Sequence, residues 1–249
     1  MTPNEQFEQE VKANIGQLAS ATDLQTLSNE WTEKVAEHKY VYNFRWMGRP
    51  IIQMPQDVMA MQEIIFSVQP DLIIETGIAH GGSLIFSASM LELNAACGGP
   101  QDAEVLGIDI DIRQHNLEAI KAHPMAKRIT MIQGSSISEE IVNQVKAKAA
   151  GKSRVLVCLD SNHTHEHVLE ELRAYASLTS VGSYCVVFDT IVEDLPKELY
   201  PDRPWGPGDN PKTAVWEFLK ETQDFVIDKD IQSKLLITSS PDGYLKRVR

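Results

Sequence analysis

The run from Asp160 to His167, DSNHTHEH, gathers acid and imidazole at the end of a strand-like segment, RVLVCLD, that begins at Arg154. The next strand-like segment, SYCVVFD from Ser183, ends in Asp189. Two carboxylates on neighbouring strand ends repel each other unless a cation lies between them. Oxygen donors of this kind select a hard divalent ion: magnesium first, with calcium or manganese as substitutes. Asp160 and Asp189 are therefore the expected metal ligands. His163, close behind Asp160, is the expected general base near neutral pH, the plainer alternative being a helix-capping histidine on an acidic surface. A three-histidine zinc site is not expected, because a helix starting near Thr164 sends His165 and His167, at i and i+2, to different sides. An iron oxygenase would need a His-x-Asp/Glu seed, and no histidine here has an acid two residues on.

A second constellation stands at PDLIIETGIAHGGSLIF, Pro70 to Phe86. An apolar strand (Leu72, Ile73, Ile74) ends in Glu75, breaks into a loop with Gly77, Gly81 and Gly82, and passes into a helical run that starts at Ser83. Glycines let backbone approach a ligand, and the helix start offers unpaired N–H groups. The spacing matches neither the dinucleotide fingerprint nor the P-loop. An acid at the strand end suits a cationic group such as the ammonium of S-adenosylmethionine. Glu75, Gly77, Gly81 and Ser83 are thus expected cofactor contacts, with Asp160 beside them. Asp109, closing VLGID, is placed to accept the ribose hydroxyls, with Asp111 the close alternative and helix capping the competing explanation for either. Ser135 and Ser136, in QGSS after the third strand, are expected to border the purine. Trp46, Arg49 and Gln53 are further candidates, though an aromatic loop over a core edge explains them as well.

These residues need a scaffold of strand ends. Strand-like runs at Val105–Asp109, Ile129–Gln133, Arg154–Asp160 and Ser183–Asp189 alternate with helical stretches at about 112–121, 138–149 and 164–177. That alternation predicts an α/β fold, a doubly wound and mostly parallel seven-stranded sheet with helices on both faces. Ligands then lie outside the carboxyl ends of the strands. Phe225–Ile227, and Leu235–Ser239 with Tyr244–Val248, are expected to supply the last two strands. Before the sheet, Phe7, Val11, Ile15 and Leu18, then Leu24, Leu27, Trp31 and Val35, mark two amphipathic helices divided near Ala21–Thr22. Residues 1–55 read as a helical extension with an aromatic loop, and residues 56–249 as the cofactor-binding domain. The extension and the proline-rich stretch Val192–Asn210 are expected to face the substrate. The apolar stripes of the extension predict a homo-oligomer.

The 249 residues carry 23 basic and 35 acidic side chains, a net charge of −12, which disfavours nucleic acid as a partner. Cys97, Cys158 and Cys185 show no CxxC spacing, and two of them lie in apolar runs, as in a reducing compartment. The N-terminus lacks a signal-peptide pattern, and no apolar run is long enough to span a membrane. A cytoplasmic protein is expected.

ETGIAHGGS, GIDID, QGSS, DSNHTHEHVLEEL and VVFDTIVEDLP, in this order, resemble the cephalosporin hydroxylase/rhamnosyl O-methyltransferase family from about Phe44 to the C-terminus. The resemblance implies a class I S-adenosylmethionine-dependent methyltransferase fold. It also implies an O-methyltransferase acting on a hydroxyl of a sugar or natural-product acceptor, with Asp160 as a magnesium ligand and His163 as the base of an Asp-x-x-His pattern. One position departs from it. Relatives often place a Glu-Asp pair at the end of the fifth strand, where this chain has Phe188-Asp189, so a glutamate at 188 is expected to tighten the metal if that side chain faces the site. The same departure supports the alternative of a non-catalytic cofactor-binding subunit of a biosynthetic complex. Hydroxylation, despite the family name, has no ligand set here.

Overall fold

The computed structural model describes all 249 residues. The chain opens with α1 (Pro3–Ser20) and α2 (Thr22–Ala36), divided at Ala21 as their spacing predicts. A reciprocal capping box between Thr2 and Glu5 starts α1, satisfying N–H groups that a helix start leaves open. A short hairpin, β1 (Arg45–Trp46) with β2 (Arg49–Pro50), leads to α3 (Pro55–Val68). There follow β3 (Leu72–Thr76), α4 (Gly82–Ala96), β4 (Glu104–Asp109), α5 (Gln114–Lys121), β5 (Ile129–Gln133), α6 (Glu139–Ala149), β6 (Val155–Leu159), α7 (His165–Tyr175) and β7 (Tyr184–Val187). The chain closes with α8 (Pro211–Glu221), β8 (Phe225–Ile227), α9 (Lys229–Leu235) and β9 (Tyr244–Arg247).

The seven-stranded sheet runs β5-β4-β3-β6-β7-β9-β8, with β9 antiparallel to both neighbours and the other pairings parallel. Side chains alternate between its faces. Leu72, Ile74, Val155 and Val157 pack with residues of α6, α7 and α8, whereas Ile73, Leu156 and Cys158 pack with those of α3 and α4. Both faces are covered, which is why the parallel strands are continuously apolar.

Leu235–Ser239 is not a strand. Leu235 ends α9, Leu236 takes a left-handed φ of 59°, and the next residues are drawn to Asp57, a fully buried carboxylate on α3. Asp57 accepts the Ser239 amide and hydroxyl at 2.7 and 2.8 Å, the Tyr244 hydroxyl at 2.7 Å, and the Thr238 hydroxyl. An amide committed to a carboxylate cannot serve a ladder. The N-terminal helices sit apart from the sheet: α1 buries none of its side chains, and α2 buries Ser28 and Thr32. No helix is long and apolar enough to cross a membrane.

Candidate active site

From β3 the chain winds outward through β4 and β5, then returns to the other side of β3 as β6 and β7. This reversal opens a crevice at the carboxyl ends of β3 and β6. The register sets Thr76 level with Leu159, and Leu159 level with Val187, so Glu75, Asp160 and Asp189 arrive at one edge. The Asp160 amide donates to the Thr76 carbonyl at 3.0 Å. Gly77 makes this crossing possible, since a Cβ there would stand 2.0 Å from the Asp160 carbonyl oxygen.

The ligating atoms of Asp160, His163 and Asp189 all lie within 4.8 Å of one another. His163 Nε2 is 3.2 Å from Asp189 Oδ2. Asp189 adopts a left-handed φ of 54°, a conformation that costs a non-glycine residue energy and recurs at functional sites. Burial, followed by the charges of Asp189, Glu75 and Glu171, holds the Asp160 carboxyl well above the usual carboxylate range. Two oxygens and an imidazole nitrogen converging where negative charge is already in excess fit a divalent cation.

Phe188, next to this cluster in sequence, is a core residue. It is 3% exposed and packs in the core shared with α3 and α4, so a carboxylate at 188 would be buried among apolar groups. The condition on which a glutamate at 188 is expected to tighten the metal, a side chain outside the core, is not met by this packing.

Glu75 is buried and accepts a hydrogen bond from the Ser83 hydroxyl at the start of α4. Burial pushes its carboxyl up to about 7. Glu75, Ser83, Gly77, Gln53 and Asp160 come together at a narrow cleft of about 40 Å³, which Gln53, Gly77, Ser83 and Asp160 line. The native state thus binds a proton that the unfolded chain releases, and its stability falls as pH rises from the ordinary glutamate range through 7, by about 3 kcal/mol in full. Glu75→Gln is expected to raise the melting temperature of the ligand-free protein at pH 8, with the gain vanishing near pH 4, as thermal unfolding at the two pH values will show.

The other glycines serve the loop itself. Gly81 has φ 79°, and a Cβ on it would meet the Ile120 side chain at 2.4 Å, not the cleft. Gly82 has the Pro50 carbonyl where its Cβ would be. Polar groups fix the loop from outside. Arg49 donates to the His80 carbonyl at 3.0 and 2.6 Å and to Asn116 Oδ1 at 2.9 Å, and Asn116 donates to the Ala79 carbonyl at 2.9 Å. Asp109 Oδ2 accepts the amides of Ile78 and Ala79 at 2.8 and 3.2 Å, and its Oδ1 accepts that of Asp111 at 2.9 Å. Asp109 therefore staples the loop, while Asp111 is exposed beside Arg113. Trp46 packs edge-on against Phe86 and donates to Ser89, which is the core-edge explanation.

The three imidazoles of DSNHTHEH diverge. His165 turns to Thr213 and Glu217 on α8, and His167 to Ser136 and Glu171. The stretch after β7, expected as a loop over the active face, contains short 3-10 turns and brings Trp205 against His163, ring centroids 4.9 Å apart and nearly perpendicular. Arg203 lies over the same indole at 5.1 Å. Neither residue stood out in the sequence, where a lone Trp between prolines carries no periodic signal. An apolar hollow of about 370 Å³ near Ile112, Ile120 and Met131 is lined by no acid or histidine.

Comparison with known proteins identifies the family and supports the fold. The family model described as Rhamnosyl O-methyltransferase/CmcI matches residues 38–248. The rhamnosyl O-methyltransferase of Mycobacterium tuberculosis is 30% identical over 229 residues, spanning 87% of this chain and 86% of its own. That of Mycobacterium leprae is 29% identical over 227 residues, spanning 87% and 92%. Among solved structures, CmcI with magnesium and S-adenosylmethionine superposes with a TM-score of 0.57 at 19% identity, over 84% of this chain and 78% of that one. The O-methyltransferase TomG from Streptomyces achromogenes, in complex with S-adenosylmethionine, gives 0.52 at 16% identity, over 80% of each chain. The chain belongs to the rhamnosyl O-methyltransferase/CmcI family and is a class I S-adenosylmethionine-dependent O-methyltransferase.

Proposed function

We propose that the protein methylates a hydroxyl of a sugar or sugar-bearing natural product, with magnesium held by Asp160 and Asp189 and with His163 as the base. The observation that carries this reading is the convergence of Asp160, His163 and Asp189 within 4.8 Å at the strand-order reversal. Glu75 and the cleft around Gly77 and Ser83 would receive the ammonium end of the cofactor, with Gly81 shaping the loop behind them. Ser135 and Ser136 would border its purine further along the edge. Asp109 would act on the ribose side through the loop it staples, or through a remaining lone pair. S-Adenosylmethionine supplies the methyl group, and magnesium, when bound, makes a coordinated hydroxyl more acidic.

The chain's own residues then have defined tasks. Asp160 and Asp189 would hold the cation, and Nε2 of His163, beside them, would be the basic atom placed to take the hydroxyl proton. The sulfur–methyl bond breaks as the oxygen–methyl bond forms, giving S-adenosylhomocysteine and a methyl ether. Trp205 presents its ring beside His163, an arrangement suited to the apolar face of a pyranose. Exposed Phe7 and Leu27 on α1 and α2 support the expected homo-oligomer, and residues 1–55 would form an extension bordering the acceptor.

Transfer of labelled methyl from S-adenosylmethionine across a panel of rhamnosides and other hydroxylated glycosides tests the reading. Product that forms with magnesium and is lost on chelation supports it. Trp205→Ala is expected to raise the acceptor KM by roughly tenfold while changing kcat less, about the worth of one stacking contact. Steady-state kinetics on the best acceptor measures this.

A further inference from the structure

Three side chains on one stripe of α7, His167, Glu171 and Tyr175, are spaced four residues apart and reach two different loops. His167 Nε2 lies 3.1 Å from the Ser136 hydroxyl, in the loop after β5, and 3.3 Å from the Ser161 hydroxyl, in the loop after β6. Ser161 donates to Glu171 Oε1 at 2.6 Å, and His167 Nε2 is 3.5 Å from the same oxygen. The Tyr175 hydroxyl donates to the Ser136 carbonyl. Glu171 is 0% exposed, and its Oε2 is buried without a partner.

Such a cluster is a costly way to pack a helix. A buried carboxylate with one unsatisfied oxygen is less favourable than an apolar residue of similar volume, and the neighbouring Val168, Leu169 and Leu172 show that this helix face takes aliphatic side chains. What the polar stripe adds is a fixed relation between two loops. Ser161 follows Asp160 directly and stands two residues before His163, whereas Ser136 belongs to the stretch assigned to the cofactor's purine.

Resting on the function proposed above, we infer that His167, Glu171 and Tyr175 are positioning residues that hold the metal-and-base loop, 160–163, in register with the cofactor loop, 134–136. None of the three touches the reacting atoms. Their effect runs through Ser161 and Ser136, so one substitution at His167 disturbs both the metal-and-base loop and the purine end of the cofactor site.

Calorimetric titrations of S-adenosylhomocysteine and, separately, of magnesium into the full-length protein test this. His167→Ala is expected to weaken both affinities, each by about tenfold. His167→Gln, whose amide still reaches both hydroxyls, is expected to restore both to within about threefold of wild type. A purely local purine contact would move the first affinity and leave the second, contradicting the inference. An unchanged pair of affinities in folded His167→Ala overturns it as well, and so does a loss that His167→Gln does not reverse. Wild-type protein that binds neither ligand would instead refute the functional reading itself.

Discussion

Asp160→Ala is expected to abolish methyl transfer, a loss of a thousandfold or more, and to raise the thermal stability of the ligand-free protein at the same time. The first effect follows from removing a ligand of the ion that orients and acidifies the acceptor hydroxyl, a contribution of several kcal/mol to the transition state. The second follows from electrostatics. Asp160 is half-buried, and desolvation, followed by the charges of Asp189, Glu75 and Glu171, holds its carboxyl well above the usual range. A group whose native-state affinity for a proton exceeds its unfolded one destabilises the fold as pH rises, so the gain from its removal is largest at alkaline pH and disappears in acid. Kinetics on an identified acceptor and melting curves at pH 5 and pH 8 would read the two effects. Lost activity with unchanged melting at both pH values would mean that the carboxylates are not crowded as the structure has them.

His163→Ala is expected to lower kcat by on the order of a hundredfold to ten-thousandfold, the usual cost of deleting a general base. S-Adenosylhomocysteine affinity should stay within about twofold of wild type, since the cleft around Glu75 and Ser83 does not include His163. Magnesium affinity should also persist. That result separates a base from a third ligand, a distinction raised by the 3.2 Å approach of His163 Nε2 to Asp189. A fall in magnesium affinity as large as the fall in kcat would make His163 a ligand and leave the proton without its proposed acceptor.

Much of this architecture is legible in the sequence because local pattern and global fold agree. The β-α alternation from Leu72 to Asp189 and the break at Ala21 appear where their residues predict them. Periodicity fails where a distant partner decides. Leu235–Ser239 has strand-like residues, yet Asp57 on α3, far away in sequence, takes the Ser239 amide. Phe188 stands one residue from a metal-ligand candidate, but the packing of α3 and α4 against the sheet, which no local pattern reports, takes its ring into the core. Asp109 sits where a ribose ligand is expected, and no sequence pattern shows that backbone amides of the loop already occupy its carboxylate. Gly77 and Gly82 read as room for a ligand, whereas the space they leave is filled largely by the Asp160 and Pro50 carbonyls. Trp205 reaches His163 only because the chain from Glu193 to Asn210 folds back, with Glu193 accepting the Gly208 amide at 2.7 Å and the Asn210 side chain.

The central claim is a metal-assisted methyl transfer at Asp160, His163 and Asp189. Its most direct test is the initial rate of labelled-methyl transfer to the best glycoside acceptor, measured after exhaustive chelation and again on titrating magnesium back. The account predicts a rate near background in chelator, restored by magnesium in the wild type and not in Asp160→Ala. A full rate in chelator would contradict it.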